Sequence, residues 1–136
     1  MSGEKIVMVV DKHLPKGLAA NSAAVLGITL GSLKPQIIGA DCFDKDGIKH
    51  LGITKVSIPV LAADQEEIKE IYRQTNDLEH VELIDFSMIA QGCRDYSDYG
   101  NKMLAVENDD LKYSGLCLIG PPKQISRLTG ALPLIR

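Results

Sequence analysis

Tryptophan is absent from the 136 residues, and only four Tyr and two Phe supply aromatic rings. So few rings leave no stacking platform for bases, and a formal net charge of −3 argues against a surface built to attract nucleic acid. Cysteine is scarce and badly spaced for metal or cross-links. Cys42, Cys93 and Cys117 are odd in number and form no CxxC pair, so neither a disulfide framework nor a zinc site is expected. No apolar run approaches the ~18 residues of a membrane span. Met1-Ser2-Gly3-Glu4 places no basic region ahead of the short apolar run that follows, so no signal peptide is expected and the cytoplasm is the expected location. Catalytic signatures are missing too. No GxSxG, HExxH, P-loop or strand-borne GxGxxG occurs, and no cofactor is expected.

What is present suffices for a real core. Hydrophobic residues make up 45% of the chain, and no linker or low-complexity tract divides it, so residues 1–136 read as a single α/β domain. The run Lys5–Val10 is β-branched and continuously apolar, as a strand covered on both faces should be. A loop with Pro15 and Gly17 leads to a small-residue helix over 18–28, with Gly31 placed as its C-terminal glycine and Pro35 beyond. Gln36–Ala40 and Gly47–His50 flank the turn Asp44-Lys45-Asp46-Gly47 and predict a β-hairpin. Val56–Ala62 reads as a strand in which Pro59 points to a sheet edge. Asp64 and Glu67 have capping-box spacing at the start of a helix that buries Ile68, Ile71 and Tyr72. Then come a strand at Val81–Phe86, one helix from Ile89 through Leu104, a polar loop at Asn108-Asp109-Asp110 and a strand at Leu116–Ile119. Pro122 opens a last helix that Gly130 closes. The expected architecture is a small mixed sheet with helices on both faces and an added hairpin.

If the strands at 5–10, 81–86 and 116–119 are parallel neighbours, their loops meet at one edge of the sheet. That edge would gather Asp11, His13, Lys16 and Gly17 with Asp85, Ser87 and the turn Gly120-Pro121-Pro122-Lys123, and Asn21 would lie close behind. Asp11, His13, Lys16, Gly17, Asn21 and Asp85 are the candidate ligand-binding residues, with a helix N-terminus beside them that attracts anions. As a catalytic set, Asp85 would act as base with Lys16 or Ser87 assisting. Each also has a plain structural role open to it: Asp11 and Ser87 could end strands or cap helices, and Lys16 and His13 could be solvated.

Ile6–Asp11 followed by Leu14–Asn21, then Asp41–Gly47 with His50, then Asp85-Phe86-Ser87 and the tyrosine-bearing helix, resemble a bacterial family known as domain of unknown function 2000. That family is similar in fold to the type 2 peptidyl-tRNA hydrolases. The hydrolase likeness rests on the strand–loop–helix start, on Leu83-Ile84-Asp85, and on Ile119-Gly120-Pro121-Pro122 with Leu128–Leu132. The hydrolases carry a lysine, a glutamine and a histidine along their first helix. Those positions fall here on Gly17 (with Lys16 displaced by one), Asn21 and Ala24. Asp85 stands for the hydrolase aspartate, but Phe86-Ser87 replaces Ala-Gly, and Ile89 takes the place of a threonine. A shift of one residue turns a helical side chain by roughly 100°. The resemblance therefore implies a kept scaffold without peptidyl-tRNA hydrolase activity.

Three functions are compatible with these residues. The first is a binder of a small polar or anionic molecule at the strand-end cleft. The second is a hydrolase for an ester or amide, such as a peptidyl or aminoacyl ester. The third is an interaction module that pairs into a homodimer through an apolar edge or helix face.

Overall fold

In the computed structural model, which describes residues 3–136, the first apolar run forms β1 (Lys5–Asp11), buried from Ile6 onward. Helix α1 (Lys16–Leu33) follows. An arm then leaves the body, with a single 3-10 turn at Pro35–Ile37 and the two-residue strands β2 (Cys42–Phe43) and β3 (Lys49–His50). Next come β4 (Val60–Ala63), α2 (Gln65–Asn76), β5 (Glu82–Ser87), α3 (Met88–Gly92), α4 (Tyr96–Leu104), β6 (Tyr113–Gly120) and α5 (Pro122–Thr129).

The main sheet has the order β4-β1-β6-β5, with β4 parallel to β1 and β6 antiparallel to both of its neighbours. The sheet is therefore mixed, as expected, but β6 runs against the direction that would bring its loop to the other two. The reason lies in what connects β5 to β6. A parallel return must carry the chain back along roughly 20 Å of β5. The five residues of α3 rise only ~7.5 Å, and the chain breaks at Cys93 before α4 starts afresh behind Asp95, so no single helix runs back along the strand. A second short helix and a 3-10 turn at Asn108–Asp110 then complete the connection, and β6 starts at the end where β5 stopped. The Gly120-Pro121-Pro122-Lys123 turn consequently sits beside Lys5, at the opposite end of the sheet from Asp11.

Strand alternation divides the core in two. Val7, Val9, Leu116 and Leu118 face α2 and α5, meeting Ile68, Ile71 and Ile125. Ile6, Met8, Cys117, Ile119 and Phe86 face α1, meeting Leu26 and Leu30. Helices cover both faces. Cys117 is a buried hydrophobe, and burial pushes its thiol up to about 12.

Local signals are followed by the fold in some places and overridden in others. The Asp64 carboxylate accepts from Glu67 N at 2.9 Å and the Glu67 side chain accepts from Asp64 N at 3.1 Å, which is the expected capping box. Pro59 directly precedes β4, an edge strand. Gly31, however, lies inside α1; the helix stops at Lys34, whose backbone (φ −130°, ψ 61°) is pushed out of the helical region by Pro35. The expected strand at Gln36–Ala40 is replaced by the 3-10 turn that Pro35 opens. The Asp44–Gly47 turn is present, with Gly47 at φ +81°, and one isolated rung, Ile38–Thr54, continues the arm toward its base. A side chain at Gly52 would run into the Gly39 carbonyl, so the two chains of the arm can approach only there as glycines. The single helix expected from Ile89 to Leu104 is two, because Asp95 caps a fresh start by accepting from Asp98 N.

Candidate functional site

β1, β4 and β5 all end, and β6 begins, at one end of the sheet. Ala63 at the end of β4 lies opposite Asp11, and α2 starts two residues later. Gln65 is thereby aimed across the sheet end. Its amide nitrogen donates to Asp11 Oδ2 and to the Tyr113 carbonyl, both at 2.6 Å, and its carbonyl oxygen accepts from Tyr113 N at 3.0 Å. The other carboxylate oxygen of Asp11 accepts from His13 N at 2.7 Å. With 2% exposure and both oxygens engaged, Asp11 is an internal anchor of the loop after β1.

A second amide ties the same end to α1. Opposite the step from Phe86 to Ser87, β6 carries one extra residue, Ser114, which the bulge leaves out of the ladder. Its hydroxyl donates to Gln91 Oε1 at 2.7 Å. Gln91 Nε2 in turn donates to the Leu18 carbonyl at 2.9 Å, Asn21 Oδ1 at 3.1 Å and Ser22 Oγ at 3.2 Å. Asn21 thus faces α3. Ser87 is 1% exposed and caps α3 by accepting from Ala90 N at 3.1 Å. Neither glutamine was singled out in the sequence: Gln65 read as an ordinary residue behind a cap, and Gln91 as part of an unbroken helix.

Two of the surface concavities take in the candidate residues. The first, of about 340 Å³, lies between α1 and β4 and is lined by Lys12, Leu14, Lys16, Ala19, Ala20, Ala23, Val60, Ile135 and Arg136. It has basic side chains, an aliphatic floor and no carboxylate side chain. Beside it, Gly17 faces open space, the N-terminal turn of α1 has no side-chain cap, and His13 is exposed. The second, of about 450 Å³, follows the free edge of β5 and includes Asp85, Cys93, Arg94, Tyr96 and Tyr99.

Asp85 pairs with Leu116 and so points to the face covered by α2, opposite the face that α1 covers. Lys16 and Asp85 therefore line different concavities at different edges of the sheet, and the expected cluster is divided. Asp85 keeps solvent access as a residue, yet partial burial of its carboxyl holds the pKa above the ordinary carboxylate value. Burial also raises Tyr99, with the nearby Asp85 charge adding to it, and raises the Cys93 thiol, with Asp98 adding. Among the described residues, no group of three His, Cys, Asp or Glu side chains is placed to share a metal.

The family profile described as "Protein of unknown function (DUF2000)" matches residues 4–136. The chain belongs to that family. Its fold recurs in a solved protein of unknown function from Agrobacterium tumefaciens, 19% identical, with a TM-score of 0.90 over the whole of both chains. At that identity the likeness speaks for the DUF2000 fold alone. No curated protein matches the chain.

Two outcomes follow from this geometry. Gln65→Leu leaves a buried carboxylate oxygen and two Tyr113 backbone groups without partners, and should cost about 2–4 kcal/mol in urea unfolding; a loss well under ~1 kcal/mol would remove Gln65 from its place as anchor. Asp85 is protonated more readily folded than unfolded, so its contribution is most favourable below the unfolded pKa and is lost as pH rises through the higher folded one. Asp85→Asn should therefore melt higher than wild type at neutral pH, with the gap closing as pH falls toward 3.8, the ordinary carboxylate value. A gap that widened in acid would contradict the burial of this carboxyl.

Proposed function

We propose that this protein binds a small anion carrying an apolar portion, in the concavity between α1 and β4. The observation that carries the reading is the lining: Lys12, Lys16 and Arg136 over alanine and branched aliphatic side chains, with no carboxylate side chain among them. The uncapped N-terminus of α1 adds partial positive charge from the same side, so a carboxylate or phosphate is attracted by lysines and helix end together. Both lysines are exposed, so the attraction is modest and screened by salt. His13 and Gly17 border this mouth. Asp11 and Asn21 contribute by holding the loop after β1 and the start of α1 rather than by touching the ligand, and Asp85 lies apart in the other concavity.

The scaffold in this reading is of the type 2 peptidyl-tRNA hydrolase kind, without that activity. Gly17, Ala24 and Ile89 stand where those enzymes carry functional side chains, which supports the loss. A cytoplasmic location goes with it, since the three cysteines are free thiols.

One observation favours a second reading, a hydrolase for an ester or amide. Partial burial brings Asp85 toward the pKa range of a useful general base, in a groove that also holds Tyr99 and Arg94. Asp85 would take the proton of an attacking water. Ser87 is too buried to assist there, and Lys16 lines the other concavity.

Titration with inorganic phosphate and with a short-chain fatty carboxylate should show the carboxylate bound more tightly. Lys16→Ala should weaken binding about fivefold, as the loss of one partly screened ion pair worth about 1 kcal/mol implies, with the melting temperature unchanged. Equal affinities for the two proteins would refute the anion site. Purified protein should not turn over peptidyl-tRNA; turnover abolished by Asp85→Asn would establish the hydrolase reading instead.

A further inference from the structure

The arm between α1 and β4 is the least self-sufficient part of the molecule. Every residue from Asp41 to Leu51 is exposed, and the arm carries five large apolar side chains that its own body does not cover: Ile38, Phe43 (65% exposed), Ile48, Leu51 (73%) and Ile53 (78%). It is nonetheless a built element, with paired strands, the Gly47 turn and an Asp44 carboxylate that accepts from two backbone amides of the turn while pairing with His50 at 2.8 Å. Two strands of two residues bury nothing by themselves, and a lone hairpin of this size is marginal in water.

Helix α1 poses the same problem from the other side. Lys16 is the one charged residue among its eighteen, and only Asn21, Ser22, Thr29 and Ser32 are otherwise polar, so no side of the helix is strongly hydrophilic. A helix of that composition belongs between two layers. Here the inner side meets the sheet through Leu26 and Leu30, while Ile28 (75% exposed) and Leu33 stay in water.

Surface area gives the scale of what is missing. A compact chain of 14.8 kDa exposes about 7,000 Å² by the usual relation of surface to mass. This one exposes 8810 Å². The excess of about 1,800 Å² per chain is more than the ~800 Å² that each partner contributes to a standard stable interface.

We infer that the arm clasps a second copy of this chain, each arm lying across the outer side of the partner's α1 in a two-fold dimer. Both uncovered surfaces belong to the same polypeptide, so one contact made twice about a two-fold axis buries them all and leaves no open end for further growth. An almost uncharged helix suits the apolar side chains of the arm, and the acidic turn at Asp44–Asp46 stays at the tip in water. This inference stands apart from the anion site.

Sedimentation equilibrium at micromolar concentration tests it. Wild type should weigh about twice 14.8 kDa. Phe43→Asp, Leu51→Asp and Ile28→Asp should each raise the dissociation constant by about tenfold or more, because each buries a charge at the contact. Far-UV circular dichroism should stay as in wild type, since all three positions are exposed in the single chain; Ile53→Asp serves if one of the arm variants misfolds. A monomeric wild type overturns the proposal. So does a dimer untouched by the arm variants, or one that the arm variants dissociate while Ile28→Asp leaves it intact.

Discussion

Strand β6 is buried along its whole length and bonded on both edges, so each backbone group it carries must find its partner inside the protein. Along most of its course β1 and β5 supply those partners. At its N-terminus they do not, and the Gln65 side chain takes over, giving and accepting a hydrogen bond with the Tyr113 backbone as a neighbouring strand would. The same amide nitrogen donates to one oxygen of a buried carboxylate, Asp11. One side chain therefore joins the ends of β1 and β6 to the start of α2. Residue 114, the bulge beside it, hands the next group to Gln91 and so to α1. The sheet end is held by two amides, each linking an element of one layer to an element of another.

This economy determines which polar groups are left for a ligand. Asp11, Ser87 and Asn21 are occupied internally, each by bonds that a bound molecule would have to displace. Lys12, Lys16, Arg94 and Asp85 remain free to face solvent-filled concavities. Their charges differ by sheet edge: Lys12 and Lys16 stand along α1 and β4 without a carboxylate side chain, whereas Asp85 shares the β5 edge with Arg94. This arrangement gives side-chain charge of one sign to the α1–β4 edge alone. It does not assemble a nucleophile, a base and an oxyanion donor around a single atom, which a three-part hydrolytic site needs.

The exterior departs from the usual pattern of a solitary domain. Most exposed apolar residues on a protein surface are scattered and need no explanation. Here several of them sit on one projecting arm and on the outer side of the adjoining helix, and total exposed surface is high for the mass. A chain that keeps an 18-residue helix with a single charged side chain half-exposed gains nothing alone, and the physical cost of that exposure is removed only when something apolar lies against it.

Short-range features were legible in the sequence because short-range physics produces them. The apolar run at Ile6–Val10, the Asp64–Glu67 box, the Asp44–Gly47 turn and Pro122 at a helix start each depend on residues within a few positions of one another, and each is present. The mixed sheet with two helical layers and an added hairpin was likewise readable from the order of these elements. The direction of β6 was not, because it hangs on whether residues 88–112 make one long helix or two short ones, and the Asp95 cap that divides them looks like any other polar residue in a polar stretch. From that one reversal follows the removal of the Pro121–Pro122 turn from the site end, while the strand order β4-β1-β6-β5 places Asp85 and Lys16 at separate edges. The residues of a possible site could be named from their chemistry; which of them share a surface was decided by the packing of β6 between β1 and β5, a contact between segments about a hundred residues apart that no local pattern encodes.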